Sequence, residues 1–529
     1  MGPTPQTPHR ITRTATQSTS KTSRNDLPAS ARVQEVAERL EPPFFRHHLT
    51  RMKIIPELSP GALAQLGAVE RFEAQGTDNT AFSAYYRQLI LEYYRRLVPA
   101  DARVLEIGCG EGDLLAGLPN GVKTGIDLSP ERVAKGCARH PGLDLRVGAG
   151  ETAGLPEGPF DVIILSDVLN QAGDIELLLG RLHQCSHPGT RLILNVYNTL
   201  WRPLLSLVRF LGLAPRQLPQ SWLSRRDVMN LLMLAGWEGF KGDGRILFPL
   251  RLGPIEFVSR WLNRWLSPFF GWASLAIFIV ARRSGMKSDR SPRVSVIIPA
   301  RNEAGSIETI LERMPGLGDG MELIFVEGHS KDGTWESIQS LPDEFRHGKI
   351  IKRRQTGEGK NNAVREGFRI ATGDLFVILD ADLTTPPEDL PKFVNALMEG
   401  RGDVANGVRL VYPMDGKAMQ FANLCANKAF GMLFSWLLGQ MVKDTLCGTK
   451  MLWASDYQRI EARRAEIGDF DPFGDFDLLL GADLQNLKII DVPVRYAERF
   501  YGTTNISRWR HGVILLRGVV TAARKIKFV

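Results

Sequence analysis

From Ala81 to Leu97 the chain reads AFSAYYRQLILEYYRRL. Apolar residues recur there at helical spacing, which predicts an amphipathic helix. The same helical character reaches back to about residue 35. From Arg103 the period changes. Short apolar runs at Val104–Ile107, Thr124–Ile126, Val162–Leu165 and Leu192–Val196 alternate with amphipathic stretches, and a last run covers Leu275–Ala281. Such alternation predicts a parallel sheet built from βαβ units. The small, polar and charged segment Ser284–Arg293 (SGMKSDRSPR) interrupts it and reads as a linker. The alternation then restarts at Val294–Ile298, Glu322–Val326, Lys349–Ile351 and Leu375–Leu379. A chain of 529 residues is too long for one hydrophobic core, so two successive α/β domains are expected, over 35–283 and 294–529 with 284–293 between them.

Composition adds modest limits. A formal charge of +8 favours acidic partners such as nucleotide phosphates or anionic lipid. Residues 1–34 carry Ser, Thr, Pro and Arg with few large apolar side chains, which predicts a disordered tail without a secretory signal. The five cysteines form no CxxC pair, which argues against a disulfide framework or structural zinc and fits a reducing cytoplasm.

Three stretches bear on membranes. Trp265–Ala281 is uncharged but contains Pro268 and Gly271 and falls short of the roughly 20 residues a span requires. It reads as a turn into a buried strand. Phe421–Met441 suits a buried helix or a lipid-carrier contact, and Lys428 argues against a span. Ser507–Val529 mixes apolar and basic residues, as would a helix lying on the inner face of an anionic membrane or one packed on its own domain.

After the first strand comes Glu106-Ile-Gly108-Cys-Gly110-Glu-Gly112, and the second strand ends in Asp127. Glycines let the chain turn sharply and let a ligand approach the backbone. A dinucleotide fingerprint would place its third glycine one residue later, where Asp113 stands. With FDVIILSDVLN and HPGTRLILNVYN further on, the series resembles class I methyltransferases that use S-adenosyl-L-methionine. The resemblance implies a Rossmann-like domain in which Gly108, Gly110 and Gly112 shape the cofactor pocket, Glu106 orients the cofactor and Asp127 binds the ribose. Ala149 stands where an adenine-binding Asp is common in that family, so Glu151 is the substitute expected. No catalytic base is identifiable, and methyl transfer can proceed by alignment alone. The insert Trp201–Arg245 is expected to cover the methyl acceptor.

In the second half, VSVIIPA runs through Pro299 and Ala300 into Arg301-Asn302-Glu303. The next strand ends at Glu327, followed by Asp332, then Lys360 opens a helix and LFVILD leads to Asp380-Ala-Asp382. This order resembles family-2 glycosyltransferases of the GT-A fold, similar to polyprenyl-phosphate mannose or glucose synthases. The resemblance implies a UDP- or GDP-sugar donor bound by Pro299, Ala300, Arg301, Glu303, Glu327, Asp332, Lys360, Asp380 and Arg499, and a polyprenyl-phosphate or glycolipid acceptor. Two carboxylates one residue apart can hold Mg2+ or Mn2+ against both phosphates of the donor, with Asp380 nearer the ribose and Asp382 nearer the metal. Glu327-Gly328 replaces the family's usual paired aspartates, and Thr384 stands where a further Gln ligand is common. The acidic run Asp469, Asp471, Asp475, Asp477 offers a general base for a hydroxyl acceptor, with Asp475 and Asp477 the candidates.

These readings combine into a bifunctional enzyme of one glycan or glycolipid pathway. Two alternatives stay open: a glycosyltransferase carrying a non-catalytic binding module, and a methyltransferase acting on nucleic acid. The second is weakened because no basic stripe with interleaved aromatics is seen outside the C-terminal segment, so no nucleic-acid partner is expected.

Overall fold

The computed structural model describes residues 65, 67, 68 and 81–528, apart from 152–154, 211–219, 251–255, 286–290, 414–420, 468–473, 500 and 502–507. The tail, half of the linker (286–290), and Asp469 and Asp471 therefore lie outside the described residues.

The helix Ala81–Leu97 forms as its pattern predicts and buries Tyr86, Ile90, Tyr94 and Leu97. Behind it stands a seven-stranded sheet of β1 (Val104–Ile107), β2 (Lys123–Asp127), β3 (Asp144–Val147), β4 (Phe160–Ser166), β5 (Ser186–Tyr197), β6 (Trp237–Arg245) and β7 (Ala276–Arg283). Its order is β3-β2-β1-β4-β5-β7-β6. The first five strands are parallel, while β7 runs antiparallel to both β5 and β6. The chain reverses its direction of travel between β1 and β4, which opens a crevice at their C-terminal ends.

Two of these strands have no apolar run to announce them. β3 (DLRV) and β6 (WEGFKGDGR) are the sheet edges, where polar residues need not face the domain's own core. Part of the insert expected over the methyl acceptor is thus sheet: 202–210 and 225–234 are helical, but 237–245 is β6.

The second sheet contains β8 (Val294–Ala300), β9 (Met321–Glu327), β10 (Glu344–Phe345), β11 (Gly348–Arg354), β12 (Leu375–Ile378), β13 (Val404–Val408), β14 (Lys450–Trp453) and β15 (Ile489–Pro493). Their order is β10-β11-β9-β8-β12-β14-β13-β15. Strands β11, β9, β8 and β12 are parallel, and β14 is antiparallel to both neighbours. Along β8 and β12 the two-residue period divides the core. Val296, Ile298, Val377 and Leu379 pack on one face, and Ile297, Phe376 and Ile378 on the other. Each such side chain contributes about 1.5–3 kcal/mol on burial.

The two sheets are joined by a charged interface. Arg191 of β5 and Arg282 of β7 converge on Asp403, at 2.8 and 3.0 Å, and all three side chains are largely buried. Lys241 of β6 reaches Asp483 at 2.7 Å, and Arg245 donates to the Lys527 carbonyl at 2.6 Å. Lys527 in turn pairs with Asp243 at 2.9 Å. The polar residues of β6 are therefore buried against the second domain, which is why its sequence does not alternate as an exposed strand would.

Among the described residues no helix is long and apolar enough to cross a membrane. The helix Phe421–Leu438 buries Phe434, Leu437 and Leu438 in the second core. The last helix, Arg508–Ile526, docks Leu515, Val519, Ala522 and Ile526 there and leaves Val513, Leu516 and Val520 exposed. Leu275–Ala281 enters β7 as expected, and Phe269, Phe270 and Trp272 before it are exposed, with Phe269 stacked on Trp436 at 5.3 Å.

Candidate functional site

The first site lies where β1, β2 and β4 end. Gly108, Gly110 and Gly112 all have left-handed backbone, with φ of 73°, 55° and 80°. A side chain at Gly108 would strike Val168, whereas nothing lies within 4 Å of a Cβ built at Gly110. The turn is thus closed on its sheet side and open beside Gly110. Asp127 accepts from the Gly110 amide at 2.7 Å and the Ser129 amide at 2.9 Å. A carboxylate has about four lone-pair positions, so capacity remains for a diol. Burial raises its pKa.

Glu106 is buried, and its Oε2 has no hydrogen-bond partner. Burial first, then the Asp127 charge, pushes its carboxyl well above the usual range. An orphaned buried acceptor beside an open glycine turn fits a ligand that brings its own donor or positive charge, as the amino-acid part of S-adenosyl-L-methionine would. Glu151 is turned elsewhere. Its Oε1 accepts from the Gly173 and Asp174 amides at 2.8 and 3.1 Å, which braces the loop after β4.

The sequence reading overlooked Asp167. It follows β4 with a left-handed φ of 57°, a strained conformation for a residue other than glycine. Tyr86 donates to it at 3.1 Å and Asn195 at 2.6 Å, and Tyr94 holds Asn195 at 2.8 Å. Burial outweighs these donors and lifts the Asp167 pKa to about 7. Tyr197 stacks on Tyr86 at 5.6 Å and faces Trp222 at 6.4 Å. The second aspartate in FDVIILSD was the available signal, but its donors come from a helix 81 residues earlier and a strand 28 residues later.

The second site lies at the ends of β8, β9 and β12. Pro299 and Ala300 complete β8, Arg301 is exposed beyond it, and Asn302 takes φ of 58° to turn the chain toward Glu303. Lys360, near the start of the helix Gly359–Ile370, meets Asp380 at 2.6 Å. Arg499 bridges Glu303 at 2.6 Å and Asp382 at 2.8 Å. Thr384 donates to the other Asp382 oxygen through its amide at 3.1 Å and its hydroxyl at 2.8 Å. Burial works against charge on Asp380, but Lys360 beside it holds the carboxyl below its ordinary value. Glu303 goes the other way: burial outweighs Arg499, and the Asp382 charge adds to it, raising its pKa to about 7.

This cleft suits a divalent cation. Glu303 Oε2 is buried without a partner, and Asp380, Asp382 and Glu303 share the cleft with Lys360 and Arg499. Among the described residues no three His, Cys, Asp or Glu side chains form a ready-made cage. An ion there would need ligands from outside the chain, such as substrate phosphates and water, beside one or two carboxylates.

The structure divides the remaining candidates. Asp475 faces the buried Lys450 at 3.2 Å. Asp477, two residues on, is buried against Arg464 at 2.8 Å and Asn361 at 3.0 Å. Glu327 accepts from the Ser330 amide at 2.5 Å and lies 3.5 Å from Arg354. Asp332 accepts from the Thr334 amide at 3.1 Å, where it ties down the start of a helix. Cys447 is buried, and burial pushes its thiol up to about 11.

The run Asp444-Thr-Leu-Cys447-Gly-Thr-Lys450 stands out in the sequence by its resemblance to the acceptor-side loop of family-2 enzymes, but the partners of its Asp444 and Gly448 do not. Arg409 grips the fully buried Asp444 through two bonds of 2.8 and 2.9 Å. Gly448 lies so close to Asp380 and Lys360 that a methyl group there would overlap both. CGTK was visible as a motif, but only folding brings its glycine against Asp380.

Comparison with known proteins agrees with this division. Residues 82–240 match the family described as a methyltransferase domain, and residues 295–449 match glycosyl transferase family 2. A dolichol-phosphate mannosyltransferase of Pyrococcus furiosus is 40% identical over 220 residues, covering 40% of this chain and 59% of the relative. An undecaprenyl-phosphate 4-deoxy-4-formamido-L-arabinose transferase of Enterobacter sp. is 30% identical over 224 residues, covering 41% and 64%. The chain therefore spans about three fifths of the length of these relatives. A SAM-dependent methyltransferase of Thermotoga maritima aligns with 41% of this chain and 99% of its own, at 19% identity and a TM-score of 0.32. The chain thus carries two α/β domains, a methyltransferase domain over residues 82–240 and a family-2 glycosyl transferase domain over residues 295–449.

Proposed function

We propose that the chain is a bifunctional transferase. Its second domain moves a sugar from a nucleotide-sugar donor to a polyprenyl phosphate, and its first moves a methyl group from S-adenosyl-L-methionine. The observation that carries the first half is the pairing of Asp380 with Lys360 and of Asp382 with Arg499 at one sheet edge. The similarity to a dolichol-phosphate and an undecaprenyl-phosphate transferase supports the class of acceptor.

In this reading Asp380 and Asp382 hold Mg2+ or Mn2+, which when bound neutralises charge on the departing diphosphate. An acceptor phosphate oxygen forms a bond to the anomeric carbon. The bond from that carbon to the donor diphosphate breaks, and its electron pair leaves with the nucleoside diphosphate. In-line attack of this kind inverts the anomeric centre. Lys360 and Arg499, released from their carboxylates, turn to the donor phosphates. A phosphate acceptor is already ionised and needs no base, so Asp475 serves to position Lys450. Asp477, Glu327 and Asp332 support the loops, and Glu327 retains capacity for the nucleoside.

For methyl transfer, Glu106, Asp127 and the open face at Gly110 take the cofactor. Asp167 is the base for an acceptor hydroxyl, set by Tyr86 and Asn195. With its pKa near 7, Asp167 is protonated in acid, so methyl transfer should rise with pH through about 7. Asp167→Asn should lose that rise and at least ~100-fold in rate, the scale of general base catalysis. Cofactor affinity, measured by calorimetry on the full chain, should stay unchanged. Absence of cofactor binding by the unaltered chain would instead favour a non-catalytic module. An unchanged pH profile in Asp167→Asn would remove Asp167 as base.

A further inference from the structure

Between the two domains lies a cavity of about 1320 Å3 whose walls come from both. On the methyltransferase side it is bounded by Asn198 and Thr199, which directly follow the Tyr197 that stacks on Tyr86. On the glycosyl transferase side it is bounded by Leu410 and Lys443, which directly flank the Arg409–Asp444 pair. The positive charge of Arg409 bears on Asp380. The cavity thus adjoins the chain segments that lead to both candidate sites, although no residue of either site lines it.

Its lining has two chemical characters. The charged residues are the cations Arg225, Arg226, Lys428, Lys443 and Lys527 against one acid, Asp243. That acid is already engaged by Arg245 and Lys527, at 2.8 and 2.9 Å. The wall therefore carries an excess of positive charge, which favours an anionic occupant. The apolar lining includes Trp272, Met432 and Met441, which are 70%, 70% and 67% exposed, and Trp436. Methionine and tryptophan adapt to a flexible alkyl chain. Beside Trp272 the exposed surface continues into Phe269, Phe270, Trp265 and Trp261, with Arg260 and Arg264 among them. Aromatic rings mixed with arginines suit the boundary of a bilayer.

We infer that this cavity binds an anionic amphiphile, a lipid phosphate taken from the bilayer, and that the methyltransferase domain forms half of that binding site. A molecule bound there is held by residues of both domains at once. Its identification with the sugar acceptor rests on the proposed function, whereas the binding itself rests only on the wall chemistry.

The test uses the full chain and dodecyl phosphate below its micelle concentration, followed by calorimetry, with dodecanol and inorganic phosphate alongside. Dodecyl phosphate should bind at least tenfold more tightly than either. Lys428→Glu and Met441→Glu, both at exposed side chains, should each weaken it at least tenfold while leaving S-adenosyl-L-methionine affinity and metal-dependent hydrolysis of nucleotide sugar unchanged. Equal affinity for inorganic phosphate, or indifference to both substitutions, overturns the inference. If hydrolysis is absent yet dodecyl phosphate still binds and responds to the substitutions, the sugar-transfer reading fails and the lipid site stands.

Discussion

Asp382→Asn should lower sugar transfer by about 10^3-fold or more at saturating Mn2+, since metal neutralisation of the leaving group is worth several kcal/mol. The substitution isolates charge from shape. One Asp382 oxygen accepts from the Thr384 amide and hydroxyl, and an asparagine carbonyl can keep that role. The other oxygen faces Arg499, which retains Glu303 at 2.6 Å as a partner. The cleft should therefore keep its form, and circular dichroism and the melting midpoint should change little. Steady-state rates with donor and prenyl phosphate provide the check. Full activity in the variant would remove Asp382 from the metal site.

The second large effect is structural. Asp403→Ala should cost about 3–5 kcal/mol, the range for breaking a buried ion pair by deleting one partner. Asp403 accepts from Arg191, Arg282 and the Lys488 amide, and both arginine side chains are only 6% exposed. Without the carboxylate, the buried Arg191 guanidinium keeps only carbonyl acceptors, and Arg282 keeps a carbonyl and Glu238 at 3.3 Å. Because those strands belong to one domain and Asp403 to the other, unfolding should separate into two transitions on calorimetry. A loss below about 1 kcal/mol would place the pair with ordinary surface bridges. The pH dependence has a fixed sign. Burial disfavours the Asp403 charge, but Arg191 and Arg282 outweigh it and hold its pKa below the ordinary value. Its contribution is thus full above the usual carboxylate range near ~4 and lost as pH falls through the depressed folded value.

The sequence was legible where a residue's partners stand close along the chain or its strand carries its own apolar run. The glycine turn after β1, Asp127 at the end of β2 and Asp380-Ala-Asp382 after β12 are all of this kind. β6 was opaque because its polar residues are buried by the other domain, through Lys241 with Asp483 and Arg245 with the Lys527 carbonyl. Asp167 was opaque because its meaning comes from Tyr86 and Asn195. The turn before β7 was legible, but not the exposure of its Phe269, Phe270 and Trp272, since apolar residues alone cannot say whether a loop packs or presents them. Asp475 and Asp477 looked equivalent two residues apart. At the start of one helix they point to different partners, Lys450 and Arg464.

The most direct measurement follows release of nucleoside diphosphate by the full chain from UDP- and GDP-sugars with a prenyl phosphate acceptor, with and without a chelator. One nucleoside diphosphate should be released per sugar appearing on the lipid, with both halted by the chelator and restored by Mg2+ or Mn2+. Sugar transfer that continues undiminished with all divalent metal removed would contradict that expectation.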